Sequence, residues 1–145
     1  MQDKKTAASS NGAIVAGKLS VLIPAHNEAD NLGTTIRNIV TALEDAGITH
    51  EILVVNDNST DGTEQELARL EKTFPALRHF NTPPPNGFGL AVQAGLKHFR
   101  GDAVVIVMAD GADDPQDVIA YWWKLTEGYD CVFGSRFMPG ARVVD

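Results

Sequence analysis

The sequence of 145 residues is poor in cysteine, in basic residues and in long apolar runs. Its single cysteine, Cys131, excludes an internal disulfide, and its apolar neighbours predict a buried, inert thiol in a reducing, cytoplasmic protein. Twelve Lys and Arg against 19 Asp and Glu give a net charge of -7, which argues against a nucleic-acid-binding surface and a polybasic membrane anchor. No apolar run approaches the roughly 20 residues that a membrane-spanning helix needs.

The sequence does contain an alternation of strand and helix patterns. Residues 1–18 are small and polar without a period, which predicts a disordered leader, and residues 19–145 fit one domain. Strands are predicted at 19–23, 51–55, 77–80, 102–108 and 130–133, with helical spacing between them and a helix over 115–126. Strict alternation predicts an α/β fold: a Rossmann-like, doubly wound, mainly parallel sheet with helices on both faces.

The end of the fourth predicted strand is the most informative feature. The apolar run 102–108 leads into three carboxylates around a glycine, Asp110, Asp113 and Asp114. Carboxylates at the end of a buried strand are costly unless a cation uses their charge, and Mg²⁺ commonly takes one or two of them beside phosphate and water. Asp114 before Pro115 is also the predicted N-cap of a helix. Asp110 and Asp113 are therefore the candidate metal ligands.

Polar clusters also follow the first and second predicted strands, at residues 24–28 and 56–61. Each cluster is compatible with a plain turn and helix cap, and the candidate caps are Asn27 or Asp30 for the first helix and Ser59 or Thr60 for the second. A ligand role stands beside that interpretation. Glu28 is placed to accept hydrogen bonds from a base or ribose, and Asp57 is placed to meet a nucleoside.

Two further clusters complete the predicted edge. The turn 86–91 precedes the third helix and suits either a phosphate or a tight chain reversal after three prolines. Arg136 follows the fifth predicted strand, where it is either solvated or holds a phosphate. A dinucleotide fingerprint is missing after the first strand, and no Lys-Ser or Lys-Thr follows the glycines, which excludes a P-loop. Because the carboxyl ends of parallel strands share one edge, these clusters predict a single ligand site there.

The ordered set of motifs resembles the family 2 glycosyltransferases with the GT-A fold, in the branch of dolichyl-phosphate and polyprenyl-phosphate sugar transferases. The motif Leu-Ile-Pro-Ala-His-Asn-Glu stands at 22–28, and Leu-Val-Val-Asn-Asp-Asn-Ser-Thr-Asp-Gly-Thr stands at 53–63. The remaining matches are residues 86–91 with Gly95, 101–110 with Pro115, and 134–137. The resemblance covers Leu19 to about Arg142, nearly all of the predicted domain.

The resemblance implies an inverting transfer of a sugar from a nucleotide-diphosphate sugar to an acceptor, a polyprenyl or dolichyl phosphate. The implied nucleotide-sugar-binding residues are Pro24, Ala25, Asn27, Glu28, Asp57, Gly87 and Asp110. The implied catalytic residues are Asp110 and Arg136, and the implied ligands of Mg²⁺ or Mn²⁺ are Asp110 and Asp113. The phosphate of the acceptor is already anionic, so no strong general base is needed.

The implied partners are the nucleotide-diphosphate sugar and a lipid-phosphate acceptor at a membrane surface, with no nucleic acid and with a homo-oligomer left open. The implied location is cytoplasmic, peripheral on the cytoplasmic face of the membrane in the full-length form. Compared with the family pattern, the chain is expected to be the N-terminal donor-binding part, incomplete at its C-terminus, so that it binds nucleoside diphosphate weakly and transfers little sugar.

Two departures from the family pattern keep alternatives open. Met108 stands where the acidic motif has its first Asp, and a thioether is a poor ligand for a hard cation. Asn56 stands where the second motif begins with Asp. The alternative function is a non-catalytic or truncated nucleotide-sugar-binding module. A nucleotidyltransferase is a weaker alternative, since the Gly-rich basic loop of that class is missing after the first strand.

Overall fold

The computed structural model describes residues 17–135 and 139–140. In this part of the chain, four strands and four helices alternate without exception. They are β1 (Leu19–Ala25), α1 (Ala29–Asp45), β2 (His50–Asp57), α2 (Thr63–Thr73), β3 (Leu77–Thr82), α3 (Phe88–Leu96), β4 (Ala103–Ile106) and α4 (Pro115–Thr126). The predicted α/β alternation is confirmed, and the helix predicted over 115–126 has those bounds.

The strands form one parallel sheet in the order β3-β2-β1-β4. The chain builds outward from β1 through β2 to β3 and then returns to the other side of β1 for β4. The order therefore reverses between β1 and β4, and the crevice at the carboxyl ends of these two strands is the switch point at which open α/β sheets bind ligands.

The described helices cover both faces of the sheet, as predicted. The larger core lies under α1, α2 and α4, whose buried apolar side chains pack on alternate residues of β1 and β2. These helical residues are Leu32, Ile36, Ile39, Val40, Leu43, Leu67, Leu70, Val118 and Trp122. On the other face α3 packs over Leu22, Leu53 and Val55. A methyl group at Gly95 would collide with Leu22, so glycine permits this close approach of α3 to β1.

The strand β1 continues through Pro24, where the sequence predicted its end. Leu22 accepts a hydrogen bond from Val107 with its carbonyl, so the ring nitrogen of Pro24, two residues on, also faces the β4 side. The pairing of β1 with β4 stops at Leu22 and Ile106, whereas pairing with β2 runs on to Ala25. Proline is tolerated because no ladder donor is required there.

The fifth strand, predicted at residues 130–133, is wrong for the described chain. Residues 131–135 follow α4 without strand pairing, and a methyl group at Gly134 would collide with the hydroxyl of Tyr121. An apolar cavity of about 730 Å³ lies between β4, α4 and this segment. The prediction of a buried thiol is also wrong, because Cys131 is exposed on the unpaired segment. An apolar run becomes a strand only where a neighbour pairs with it, and composition does not report pairing.

A buried ion pair closes the amino end of the sheet. Glu51 at the start of β2 is 4% exposed, and its Oε2 accepts from the Nε of Arg78 at 2.9 Å. Its Oε1 accepts from Ser20 Oγ and from the backbone amide of Arg100, each at 2.6 Å. Burial alone raises the pKa of Glu51, but the hydrogen bonds from Arg78, Ser20 and Arg100 outweigh it, and the pKa falls to about 2.

None of the helices in the described residues has both the length and the apolar character to cross a membrane. The predicted leader lies outside the described residues, except for Gly17 and Lys18.

Candidate functional site

The polar clusters that follow β1, β2 and β4 lie at the carboxyl edge of the sheet, around the switch point. The loop after β3 joins them there. Hydrogen bonds link the loops after β1, β2 and β3 to one another, and α1 links them to the loop after β4.

Asn27 joins the loop after β1 to the loop after β2. Its Oδ1 accepts from the backbone amides of Thr60 at 2.8 Å and Asp61 at 3.3 Å, while its own amide donates to Ser59 Oγ at 3.0 Å. The residue has a φ of 55°, in the left-handed region that asparagine tolerates better than most residues. The side chain of Asn27 is thus committed to holding two loops together.

Asp57 joins the loops after β2 and β3 from a buried position. It is 4% exposed, its Oδ2 accepts from the amide of Gly87 at 2.7 Å, and its Oδ1 accepts from Thr82 Oγ1 at 3.1 Å. The ring of His26 donates through Nδ1 to the carbonyl of Asp57 at 2.7 Å. Gly87 precedes α3, so Asp57 fixes the start of that helix against the end of β2.

The loop after β4 holds the acidic motif. Asp110 is exposed, and its Oδ1 accepts from the amide of Ala112 at 3.0 Å. Asp113 turns back and accepts from the amide of Met108 at 2.7 Å through Oδ2. Asp114 accepts from the amide of Gln116 at 2.9 Å and is the N-cap of α4, as predicted.

Contacts with α1 fix the position of this acidic loop. Thr35 Oγ1 donates to the carbonyl of Ala109 at 2.8 Å. Gly111 has a φ of 78°, and a methyl group there would stand 3.4 Å from Thr35 Oγ1, so glycine suits both the backbone conformation and the space. The carboxylate of Asp110 is therefore presented from an anchored turn at the switch point.

The carboxylates of this edge lack a cationic partner within residues 17–135 and 139–140. The ion pairs of that region involve Glu51, Glu66, Glu71 and Glu127, and none of them includes Asp57, Asp110 or Asp113. Their partners are neutral amides and hydroxyls. Burial raises the pKa of the nearby Tyr121, and the charges of Asp117 and Asp113 raise it further. The edge therefore carries negative charge that a bound cation would neutralise.

The carboxylate oxygens of the acidic loop suit a divalent cation that is held partly by the protein and partly by the phosphates of a bound substrate. A ready-made group of three or more His, Cys, Asp or Glu side chains is missing from the described part of the chain. Mg²⁺ and Mn²⁺ accept one or two carboxylates and fill their other positions with phosphate oxygens and water. Asp110 keeps one oxygen free of hydrogen bonds to the described residues, and Asp113 is three residues further along the same loop. This chemistry fits the predicted pair.

The structure offers a reason for Asn56 where the family pattern has Asp. Asn56 is 4% exposed, and its Nδ2 donates to Asn81 Oδ1 at 2.9 Å. The Nδ2 of Asn81 in turn donates to the carboxylate of Glu64 at 2.7 Å, so the Oδ1 of Asn81 is the atom that accepts from Asn56. These two hydrogen bonds form a relay from Asn56 to Glu64. A carboxylate at position 56 could not donate to Asn81. The Oδ1 of Asn56 has no partner among the described residues, so a second anionic oxygen there would be buried and unpaired.

Residues 20–143 match the family model described as Glycosyl transferase family 2. The chain belongs to glycosyl transferase family 2. This confirms the family that the sequence motifs indicated.

Two curated relatives carry names of the predicted branch. A dolichol-phosphate mannosyltransferase from Pyrococcus furiosus is 32% identical over 126 residues, which is 87% of this chain and 35% of that protein. A dolichyl-phosphate beta-glucosyltransferase from Trichomonas vaginalis is 36% identical over 104 residues, 68% of this chain and 32% of that protein. The chain thus spans about a third of the length of these curated relatives.

A solved glycosyltransferase structure supports the GT-A fold. The mannosyltransferase PcManGT from Pyrobaculum calidifontis, in complex with GDP-Man and Mn²⁺, aligns with a TM-score of 0.57 and 30% identity. The alignment covers 65% of this chain and 28% of that chain. The predicted GT-A fold is confirmed.

The structure brings most of the predicted family 2 site residues to one edge. Pro24 and Ala25 are buried at the end of β1. Glu28 follows at the start of α1, where it is half-buried and its Oε2 accepts from Asn31 Nδ2 at 2.8 Å. The other placed residues are Asn27, Asp57, Gly87, Asp110 and Asp113. Arg136 lies outside the described residues, and its assigned role stays a prediction.

Four residues of the edge were not predicted to be functional: Ser59, Asp61, Thr63 and Thr82. The N-caps predicted for the first two helices were also wrong. The N-cap of α1 is Glu28 and that of α2 is Gly62, and neither residue makes a side-chain cap hydrogen bond. The motif at 59–63 was visible in the sequence. Its hydrogen-bond partners are about 30 residues away and could not be read from local spacing.

Proposed function

We propose that this chain forms the nucleotide-sugar-binding part of an inverting glycosyltransferase that uses a divalent cation and a lipid-phosphate acceptor. Membership of family 2 and relatives named dolichol-phosphate mannosyltransferase and dolichyl-phosphate beta-glucosyltransferase support transfer of a sugar. The single observation that carries the proposal is the set of carboxylates at the switch point, which have no cationic partner among the described residues.

The nucleoside would bind against the loops after β1 and β2. Pro24 and Ala25 form the end of β1, and Glu28 follows them in the chain with its carboxylate oriented by Asn31. Asp57 would border the same pocket from the end of β2, where it holds the start of α3 through Gly87. Such fixed acceptors suit the N–H and O–H groups of a base and ribose.

The diphosphate would lie over the acidic loop. Asp110 and Asp113 would hold Mg²⁺ or Mn²⁺ there, since hard carboxylate oxygens match these ions and Met108 does not. When bound, the cation neutralises charge that develops on the departing nucleoside diphosphate. Arg136, which follows the same edge in the sequence, would pair with a phosphate of the donor or the acceptor.

Transfer to a phosphate acceptor needs no strong base from this chain. The acceptor oxygen is already anionic, so one in-line attack forms the new bond to the anomeric carbon as the bond to the diphosphate breaks. Inversion follows from this single displacement. A lipid phosphate as acceptor would bring the reaction to a membrane surface, as the names of the relatives suggest.

Calorimetric titration of the chain with UDP and GDP, with and without Mn²⁺, tests the proposal. We expect one of the two nucleotides to bind in the presence of Mn²⁺, and Asp110→Ala to weaken that binding by about 10- to 100-fold, the range seen for the loss of even outer groups of metal sites. Asp45→Asn is the matched control. It removes one exposed negative charge at the far end of α1 and should leave the affinity unchanged.

Several outcomes would separate this proposal from its competitors. Absence of binding by either nucleotide under any condition would refute it. Binding that Asp110→Ala leaves intact would remove the acidic loop from the site. Met108, in place of a second carboxylate, specifically favours a non-catalytic nucleotide-sugar module, which would bind as expected but transfer no sugar even when the rest of a full-length protein is present.

A further inference from the structure

The helix α1 is capped by side chains of a different loop. Its N-cap residue Glu28 makes no side-chain cap hydrogen bond, yet amides at a helix start need acceptors. The amide of Glu28 donates to Thr63 Oγ1 at 3.0 Å, and the amide of Ala29 donates to Asp61 Oδ2 at 3.3 Å. The amide of Asn27 donates to Ser59 Oγ. Three consecutive amides after β1 are thus satisfied by the loop after β2 and the first residue of α2.

Asp61 also orients the Thr63 hydroxyl. Its Oδ1 accepts from both the amide and the hydroxyl of Thr63, at 2.9 and 2.5 Å. A hydroxyl has one proton, so donating it to Asp61 leaves the oxygen of Thr63 free to accept from the amide of Glu28. The hydrogen bond from Thr63 lowers the pKa of Asp61, which remains ionised in this arrangement.

The turn that these bonds hold contains residues assigned to the nucleotide. Asn27 has a φ of 55°, a conformation that costs energy for a residue with a side chain and persists where surrounding contacts compensate for that cost. Hydrogen bonds also run in the opposite direction, since the Oδ1 of Asn27 accepts from the amides of Thr60 and Asp61. The loops after β1 and β2 are held together by the same hydrogen bonds. Removal of one of the side chains that make these bonds should therefore free the turn before Glu28.

We propose that Asp61 and Thr63 are positioning residues, which hold the turn at Asn27 and Glu28 in the geometry that the nucleotide requires. This inference rests on the proposed function, because it assigns Glu28 to the nucleotide pocket. Neither residue touches the ligand; each acts through the backbone amides of the neighbouring loop. The role of the motif at 59–63 would then be to hold the turn after β1, which differs from capping the helix that follows the motif.

Thr63→Val is the most direct variant, with Thr63→Ser as its conservative partner. Valine keeps the volume at a fully buried position but cannot accept from Glu28, whereas serine restores the hydroxyl. Thr126→Val is the control for the same substitution elsewhere in the chain, since it removes a hydroxyl that donates to the carbonyl of Trp123 at the end of α4. Ser59→Ala, at a half-buried position, tests the same turn should Thr63→Val fail to fold.

Two readouts are needed, amide hydrogen exchange by NMR and affinity for UDP or GDP in Mn²⁺, both under conditions in which circular dichroism shows folded protein. In Thr63→Val we expect about three- to tenfold faster exchange at Glu28 and a similar loss of affinity, the size of one hydrogen bond. Thr63→Ser should stay near wild type in both. Thr126→Val should leave the exchange at Glu28 and the affinity unchanged.

The outcomes distinguish this inference from the proposed function. Unchanged exchange at Glu28 in Thr63→Val, or at Asn27 in Ser59→Ala, would overturn the inference even if nucleotide binds. Faster exchange with unchanged affinity would also overturn it, because the cap would then be only structural. Failure of the wild-type chain to bind either nucleotide would refute the proposed function and with it the positioning role, while the exchange data would still decide whether the cap holds the turn.

Discussion

The two ends of the sheet treat carboxylates in opposite ways. At the amino end, Glu51 is buried and meets a guanidinium, a hydroxyl and an amide, so its charge is neutralised within the protein. At the carboxyl end, Asp57, Asp110 and Asp113 meet amides and hydroxyls alone among the described residues. A neutralised carboxylate stabilises a fold, whereas an oriented but unneutralised one is prepared to bind something positive.

This difference predicts that the amino end of the sheet contributes mainly to stability and that the carboxyl end contributes mainly to ligand binding. Residues that complete the amino end should matter for unfolding and little for ligand binding. The exposed carboxylates Asp110 and Asp113 at the carboxyl end should show the reverse, because a charge that is kept for ligand binding need not contribute to stability.

The largest effect is expected from Glu51→Ala. The variant leaves Arg78, Ser20 and the Arg100 amide without their common acceptor, and removal of one partner from a buried pair costs about 3–5 kcal/mol. Urea unfolding measures the loss. Glu127→Ala breaks the exposed pair with Lys124 and is the control, with an expected cost of about 1 kcal/mol or less. Equal effects of the two variants would contradict a stabilising role for the buried ion pair at the amino end.

Acidification should remove much of the same contribution. The pKa of Glu51 is about 2 in the fold and 4.5 in its ordinary state, so its stabilisation is complete above about pH 4.5 and is lost as the pH falls toward 2. Unfolding free energy measured down to about pH 2.5 should fall by roughly 2–3 kcal/mol through this group. Glu51→Gln should flatten that part of the profile. An unchanged slope in the variant would show that other carboxylates control the acid transition.

A smaller loss is expected from Asn56→Asp, which restores the residue of the family pattern. The new carboxylate cannot donate to Asn81 and adds a buried anionic oxygen next to one that already lacks a partner. We expect a loss of about 1–3 kcal/mol in urea unfolding. Asn58→Asp, two residues further and half-exposed, is the control and should be close to neutral. Tolerance of Asp at position 56 would mean that the relay to Glu64 does not constrain this residue.

The smallest effect on stability is expected from Asp110→Asn and Asp113→Asn. Asparagine keeps an oxygen for the amides of Ala112 and Met108 but removes a charge that has no cationic partner in the described chain. Thermal unfolding should change by no more than about 0.5 kcal/mol, the usual range for exposed sites. A loss as large as that of Glu51→Ala would show that these carboxylates are structural.

The sequence predicted the parts of the fold that depend on local pattern. The four helices, the first four strands and the N-cap at Asp114 follow from spacing and cap chemistry, and the structure confirms them. The fifth strand was wrong because strand formation depends on a pairing partner. The extension of β1 past Pro24 was missed because it depends on where β4 ends.

The candidate site was predictable as a location and less so in its details. Parallel strands place their carboxyl ends together, so the convergence of the loops follows from the alternation alone. Which loop caps which helix does not, because Thr63 and Asp61 act on amides more than 30 residues away. The assigned roles of Glu28, Asp57, Asp110 and Arg136 remain predictions.

The most direct test of the account is a Mn²⁺ titration of the chain followed by electron paramagnetic resonance, with and without GDP or UDP. The signal of free Mn²⁺ should fall when protein and the matching nucleotide are both present, and this loss should disappear in Asp110→Asn while the variant keeps its wild-type stability. Retention of the full signal with both nucleotides, or an equal loss in Asp110→Asn, would contradict the claim that the carboxyl edge is a cation-dependent nucleotide site.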